Sequence, residues 1–309
     1  MNGRAGLVGI LVLLGATWGL TLPLAKIAVG PGGHAFGLVV WEMVIALILL
    51  AFLIVVRGKK IDFSRRHFRL FLFIAVFGNL IPTSMWFFTA AHLPAGILAI
   101  VISLVPMFSL PIALFLRLEN FQWLRLMGIV FGALAVVLLV GPETSLPDPS
   151  KVVFVLLALI GPVCYGIEGN GVAKIGLGGL DAFQALFGAT VVGLVFAVPL
   201  ALATGQWFPL IKPWGAPEYA LLVAGILTTL AYAGYIWLLG RAGSVFAAQV
   251  SYLVTGFGVF WSIILLAEAY SGWVWFSLVL MMAGLFLVQP KMSDTLEESS
   301  GSGKTDQGY

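Results

Sequence analysis

The sequence predicts an all-α integral membrane protein, with ten transmembrane helices in two inverted five-helix repeats. Three observations carry this reading. Hydrophobic residues fill 61% of the 309 positions and charged residues only 9%, whereas a soluble domain holds roughly 45–50% apolar and about 25% charged residues. The apolar residues fall in runs of about 20, the length that crosses a bilayer as a helix, without the alternation of barrel strands. The two halves also echo one another at a separation near 149 residues.

The first run, 6–28, follows Arg4 and contains Trp18. It continues for about 20 residues without a clear small-residue cleavage site, so it reads as a retained helix rather than a signal peptide. The runs 36–56 and 69–90 flank a basic segment holding Arg57, Lys59, Lys60, Arg65, Arg66 and Arg69. The runs 94–116 and 121–141 complete the first half, and 152–173, 182–203, 217–239, 244–267 and 272–289 form the second. Polar or Gly/Pro breaks separate them, and the connections are short. Residues 1–143 thus form one five-helix repeat and 152–290 the other. The segment "KMSDTLEESSGSGKTDQGY", 291–309, is polar and Gly/Ser-rich and reads as a disordered cytoplasmic tail.

Charge orients the spans. With the N-terminus inside and the spans alternating, 13 of the 16 Lys and Arg residues fall inside, and only Lys26, Lys151 and Lys212 fall outside. Positive residues concentrate in cytoplasmic loops, so both termini are expected in the cytoplasm of a multi-pass cell-membrane protein, of the bacterial inner-membrane kind. The same rule accounts for the basic segment at 57–69, and no nucleic-acid partner is expected. The single cysteine, Cys164, excludes an intramolecular disulfide.

The repeat is specific at several points. A shift of 149 residues brings Glu119 onto Glu268, Pro106 onto Thr255, Ala135 onto Gly284 and His92 onto Arg241. At the first and sixth spans a shift of 147 or 148 brings Trp18-Gly19 onto Tyr165-Gly166 and Ala25-Lys26-Ile27 onto Ala173-Lys174-Ile175. Five is odd, so the second copy enters from the opposite side: Lys26 is placed outside and Lys174 inside. Two inverted halves that exchange conformations give alternating access, a construction common in secondary transporters.

Polar residues in the spans mark a candidate path. Asn79, Thr83 and Trp86 are spaced i, i+4, i+7 and share a helix face. Thr228, Tyr232 and Tyr235 repeat that spacing 149 residues later. Thr17 and Thr21 meet Cys164 and Glu168 at a shift of 147. Tyr252 adds another aromatic hydroxyl. A charge at mid-membrane costs roughly 2.5–3.5 kcal/mol on insertion scales, so Glu168 is expected to face protein or water, where it binds a substrate ammonium, carries a proton, snorkels to the inner interface, or pairs with a polar neighbour such as Asn170. Glu42 lies near the outer third of its span, where snorkelling outward is equally open. Glu119 and Glu268 suit the N-termini of the helices that follow them. Pro82, Pro106 and Pro111 interrupt helices, the glycines of "YGIEGNG" are expected to loosen the sixth helix, and Gly128 and Gly132 form a GxxxG packing face.

"GATWGLTLPLAK" resembles the first-helix signature of the drug/metabolite transporter superfamily, in its EamA-like ten-helix branch. "LFLRLENFQWLRLMGIVFGALAV" and "ILLAEAYSGWVWFSLVLMMAGLFLV" resemble the closing segments of that family's two repeats. The resemblance covers about residues 6–290. It implies export or exchange of small metabolites of varied kinds. Where such proteins often have an arginine in the second helix, this chain reads "VVWEMV", with Glu42.

The expectation is a secondary transporter exporting a small organic metabolite, such as an amino acid or related amphipathic compound, with protons as a candidate coupling ion. Its partners are a small-molecule substrate and membrane lipids, and a homodimer is among the assemblies allowed. The alternative is a membrane-embedded enzyme or receptor. An enzyme needs a clustered nucleophile, base or metal set. His34, His67 and His92 lie far apart, and the chain has no HExxH, GxSxG, paired-cysteine or phosphate-loop motif. No catalytic residue, metal or cofactor is expected.

Overall fold

The computed structural model describes residues 3–60, 63–141, 149–242 and 249–288. Helices dominate: α1 (Gly3–Val29), α2 (Ala35–Val56), α3 (Arg65–Ile74), a π-helical turn (Ala75–Leu80), α4 (Ile81–Ala90), α5 (Ala95–Ile102), α6 (Val105–Phe115), α7 (Trp123–Val140), α8 (Val152–Ala158), α9 (Ile160–Ile175), α10 (Ala182–Ala203), α11 (Ala216–Ala242), α12 (Val250–Leu266) and α13 (Gly272–Val288). Among the described residues there is no strand.

Among the described residues, eight stretches are long and apolar enough to cross a membrane: Ala5–Val29, Ala35–Val56, Arg65–Ala90, Ala95–Phe115, Trp123–Val140, Val152–Ile175, Ala182–Ala203 and Ala216–Leu238. The helices α12 and α13 are apolar but have 17 residues each, about 25 Å at the usual helical rise and shorter than a roughly 30 Å hydrocarbon core. Part of the expected ninth span, 244–248, the last residue of the tenth, 289, and the expected tail from 291 lie outside the described residues.

Packing joins the two halves of the chain. The first helix lies along α11 and α12, α2 along α10 and α11, α6 along α9, α7 along α13, and α5 along α12. Leu38, Leu93, Ile97, Leu98 and Met281 are fully buried in the main core, while Phe115, Val55, Val195 and Phe286 stay exposed on surfaces that lipid tails would cover. Small residues allow the closest approaches. A Cβ on Gly128 would lie 2.7 Å from the Gly284 carbonyl oxygen, and one on Gly284 would lie 2.8 Å from that of Gly128. The GxxxG pair therefore packs α7 against α13, backbone on backbone.

The prolines break helices where the backbone must change course. The fourth expected span divides at Ser103–Leu104 into α5 and α6, with Pro106 at the start of α6 and Pro111 inside it. Pro82 stands in the first turn of α4, directly after the π turn. The glycines of "YGIEGNG" behave differently from expectation, since α9 runs unbroken through them. They admit neighbours instead: a Cβ on Gly166 would lie 3.1 Å from the backbone nitrogen of Ser109, and one on Gly171 would collide with the Phe73 ring.

The helix-end glutamates also differ from expectation in what they touch. Glu268 caps a helix of the other half, α5: its carboxylate accepts from the backbone N–H of Ala95 at 2.8 Å and of Gly96 at 3.2 Å. It also accepts from the Tyr270 hydroxyl. Three donors converge on one carboxylate, and two of them are otherwise orphan N–H groups of a helix start. At the other edge of the same connection, Lys26 Nζ donates to the carbonyls of Ala90 and Leu93, each at 2.7 Å, satisfying the end of α4. Glu119 pairs instead with Arg125 at 2.8 Å, and the Arg125 Nε donates to the Val288 carbonyl at 2.9 Å. At the predicted cytoplasmic end, Arg57 pairs with Asp181 at 3.3 Å, and Asp181 forms a capping box with Gln184 at the start of α10.

Candidate functional site: an acid between the halves

Glu168 lies on α9, three residues after Tyr165, so both side chains leave the same helix face. Opposite them the π turn brings up Gly78. A Cβ on Gly78 would lie 3.2 Å from Glu168 Cγ and 3.3 Å from Cδ, so the carboxyl end of Glu168 rests where a larger residue would stand. Among the described residues Glu168 forms no ion pair. Asn170 turns away from it: its amide donates to the Ser109 hydroxyl at 2.7 Å and to the Gly166 carbonyl at 2.8 Å. The pairing of Glu168 with Asn170 that their nearness in the chain suggests is therefore replaced by a tie from α9 to α6.

Two tyrosines are electrostatic neighbours of the acid. Tyr232 of α11 has Glu168 and Tyr235 as electrostatic neighbours. Tyr165 has Glu42 and Glu168, and Thr83 of α4 lies within hydrogen-bonding reach of its hydroxyl. Tyr235 meets Trp18 of α1 edge to face, with ring centroids 6.1 Å apart. Trp86 and Tyr165 share the lining of a small cavity with Pro82, Thr89, Val101 and Pro162. It offers about 20 Å³ to a water centre, enough for a single water. The Nδ2 of Asn79 and the Oγ of Ser84, both buried, have no hydrogen-bond partner among the described residues. An acid, neutral donors and aromatic faces can hold an amphipathic solute and exchange a proton, with cation–π attraction available to an ammonium group.

The structure brings Thr83, Trp86, Glu168, Tyr232 and Tyr235 into this linked set. Thr21 is satisfied within its own helix, donating to the Trp18 carbonyl at 2.6 Å. Tyr252 packs against the main core, and its buried hydroxyl has no partner among the described residues. Thr17 and Thr228 are half-buried. Sequence reasoning leaves Tyr165, Trp18, Gly78 and Ser84 out of the candidate set, although Trp18 and Tyr165 coincide under the 147-residue shift. Glu42, whose sequence position also suits snorkelling to the surface, is a half-buried electrostatic neighbour of Tyr165. Among the described residues, no group of three His, Cys, Asp or Glu side chains could hold a metal ion.

This arrangement defines a multi-pass helical membrane protein with a polar interior assembled from both halves of its chain. The model of the EamA-like transporter family matches residues 6–141 and 153–289, and the chain belongs to that family. It is a membrane transporter of the drug/metabolite type. A search of curated proteins finds no match. A solved crystal structure of another protein superimposes with a TM-score of 0.62 at 18% identity, covering 90% of this chain and 94% of the other. At that identity the likeness concerns the fold alone.

Proposed function

We propose that the protein is a secondary transporter that exports a small organic metabolite, such as an amino acid or related amphipathic compound, by alternating access. Its ten spans form two inverted repeats, and both termini face the cytoplasm. The observation that carries this reading is the place of Glu168. It belongs to the second matched segment and rests on Gly78 of the first, beside Tyr232 and Tyr165. Transporter sites lie at such interfaces between repeats, near the bilayer midplane. The repeat has further support at the chain turns: Arg117 and Ala267, at corresponding helix ends, are left-handed, with φ of 58° and 51°. The orientation rests on the distribution of Lys and Arg.

Purified protein in liposomes with an imposed pH gradient, assayed for uptake against a panel of amino acids and organic amines, tests the function. Vectorial movement of an intact solute supports transport, and chemical alteration supports an enzyme. Glu168→Gln keeps shape and hydrogen bonding but cannot change charge. We expect it to fold and to lose proton-driven accumulation while solute exchange survives. Loss of both would favour direct binding of a substrate cation. Wild-type rates with an unchanged pH profile would remove Glu168 from the mechanism. Reporter fusions after Arg4 and at Lys291 test the orientation; activity of a periplasmic reporter at both would reverse it.

A further inference from the structure

Gly78 and the turn that holds it are more specialised than a packing contact requires. A π turn is uncommon and recurs at functional positions in helices. Here it occupies Ala75–Leu80, inside the span Arg65–Ala90, and ends with the Ile81 N–H donating to the Val76 carbonyl. The next residue is Pro82, which has no N–H. In the π register the partner of the Phe77 carbonyl would be Pro82, which brings no donor. Two residues further along the turn, Asn79 has a buried amide Nδ2 without a partner among the described residues. By its register the turn thus offers an acceptor at Phe77, and it holds an unpartnered donor at Asn79, on either side of the glycine on which the Glu168 carboxyl rests.

The contact between α9 and this span is reciprocal. Glu168 occupies the place of a side chain at Gly78, and the Phe73 ring occupies the place of one at Gly171. Neither helix can slide or turn past the other without disturbing both. A carboxylate only accepts hydrogen bonds, whereas a carboxylic acid also donates one. Ionised Glu168 would draw on a donor such as the Asn79 amide. Neutral Glu168 would supply a donor to a freed carbonyl.

We propose that the π turn Ala75–Leu80 converts the charge state of Glu168 into movement of the α3–α4 span, with Gly78 as the positioning residue that lets the carboxyl reach the turn. This rests on the reading of Glu168 as the charge-bearing group. Few other charges compete for that role. Of the elements packed on α9, the π turn, α4, α5, α6 and α8 carry no charged side chain. The Arg65, Arg66, His67 and Arg69 side chains of α3 sit in its first turns, with the three arginines exposed. On α9 itself Lys174 is exposed in the last turn, and Cys164 and Tyr165 are the remaining titratable groups. From elsewhere, Glu42 of α2 neighbours Tyr165, and Tyr232 of α11 neighbours Glu168.

Hydrogen exchange in lipid nanodiscs, with protons as the only ligand, tests this on the intact chain. Amide protection of 75–83, corrected for intrinsic rates, is followed from about pH 4 to about pH 9, a range that brackets ordinary carboxylates and groups shifted from them. In the wild type we expect protection of this segment to change by about fivefold or more across the range. Glu168→Gln should remove the change and hold the low-pH pattern throughout. Gly78→Ala should blunt it, because the added methyl displaces Glu168. Asn79→Ala should weaken only the high-pH pattern. Gly171→Ala, at the Phe73 contact, controls for loosened packing and should shift protection equally at all pH values. The same pH dependence in wild type and Glu168→Gln, or an unaltered response in Gly78→Ala that remains monodisperse, overturns the proposal. Since no solute is involved, this result is separate from the liposome assay: Glu168 could fail to drive accumulation and still move the turn, or the reverse.

Discussion

At the scale of single residues, Gly96 sits at a crowded hydrogen-bonded junction. A Cβ there would overlap the hydroxyl of Tyr270, which donates to Glu268 and accepts from the Gly96 N–H at 3.1 Å. Gly96→Ala should destabilise the protein by about 1–3 kcal/mol, the usual range for overpacking. Tyr270→Phe should cost about 1.5–3 kcal/mol through loss of a bond to a charged group. The two share one contact and should not add. Burial, reinforced by the hydrogen bond to Glu268, pushes the Tyr270 phenol above the ordinary tyrosine range. A group raised in the folded state contributes stability that is complete below its unfolded value and is lost as pH rises through the folded one. The stability gap between wild type and Tyr270→Phe, measured by thermal unfolding in detergent, should hold from neutral pH to about pH 10 and narrow above it. A gap that widens there would contradict this assignment of the proton.

Among the elements, glycine positions separate helices that must touch from helices that need only persist. Gly284 faces the Gly128 backbone and the Met107 side chain, whereas nothing lies within 4 Å of a Cβ on Gly169. Gly284→Ala should therefore part α7 from α13 and lower stability by about 1–3 kcal/mol. Gly169→Ala, one residue from Glu168 but open, should be neutral or stabilise by up to about 1 kcal/mol through helix propensity. Thermal unfolding of both variants checks the contrast, and equal effects would mean that contact does not decide the cost. The GxxxG spacing makes the first of these legible in the sequence. The continuity of α9 through "YGIEGNG" is not legible, because local propensity counts the glycines against a helix while packing against α6 and α3 rewards them.

For the whole molecule, the question is whether the two polar stripes bound one path. In a Cys164→Ala background, Thr83→Cys and Tyr232→Cys should react with a small charged methanethiosulfonate, and a transported solute should slow both reactions. Val195→Cys, on a side chain 66% exposed on the apolar surface, should react far more slowly because lipid covers it. Equal reactivity at all three positions would mean that the stripes do not line an aqueous path. The stripes themselves follow from helical spacing in the sequence. The nearness of Thr83 to Tyr165, and of Tyr232 to Glu168, does not, since it depends on how the helices are turned about α9.

By itself the sequence determined the solvent, the helices and the family. Low charge and long apolar runs leave the chain no stable place but a bilayer, and the backbone in lipid must satisfy itself within helices. It also set the expectation that Glu168 avoids lipid, because a charge exposed to lipid is costly. The tertiary structure alone decided the partners. Glu268 caps α5 from the other half of the chain, Asn170 binds Ser109 rather than Glu168, and Gly78 makes room for the acid. Periodicity gives each helix a face but leaves its rotation and height against its neighbours free. Those are set by the joint packing of all the helices, where small residues permit approach and bulky ones limit it.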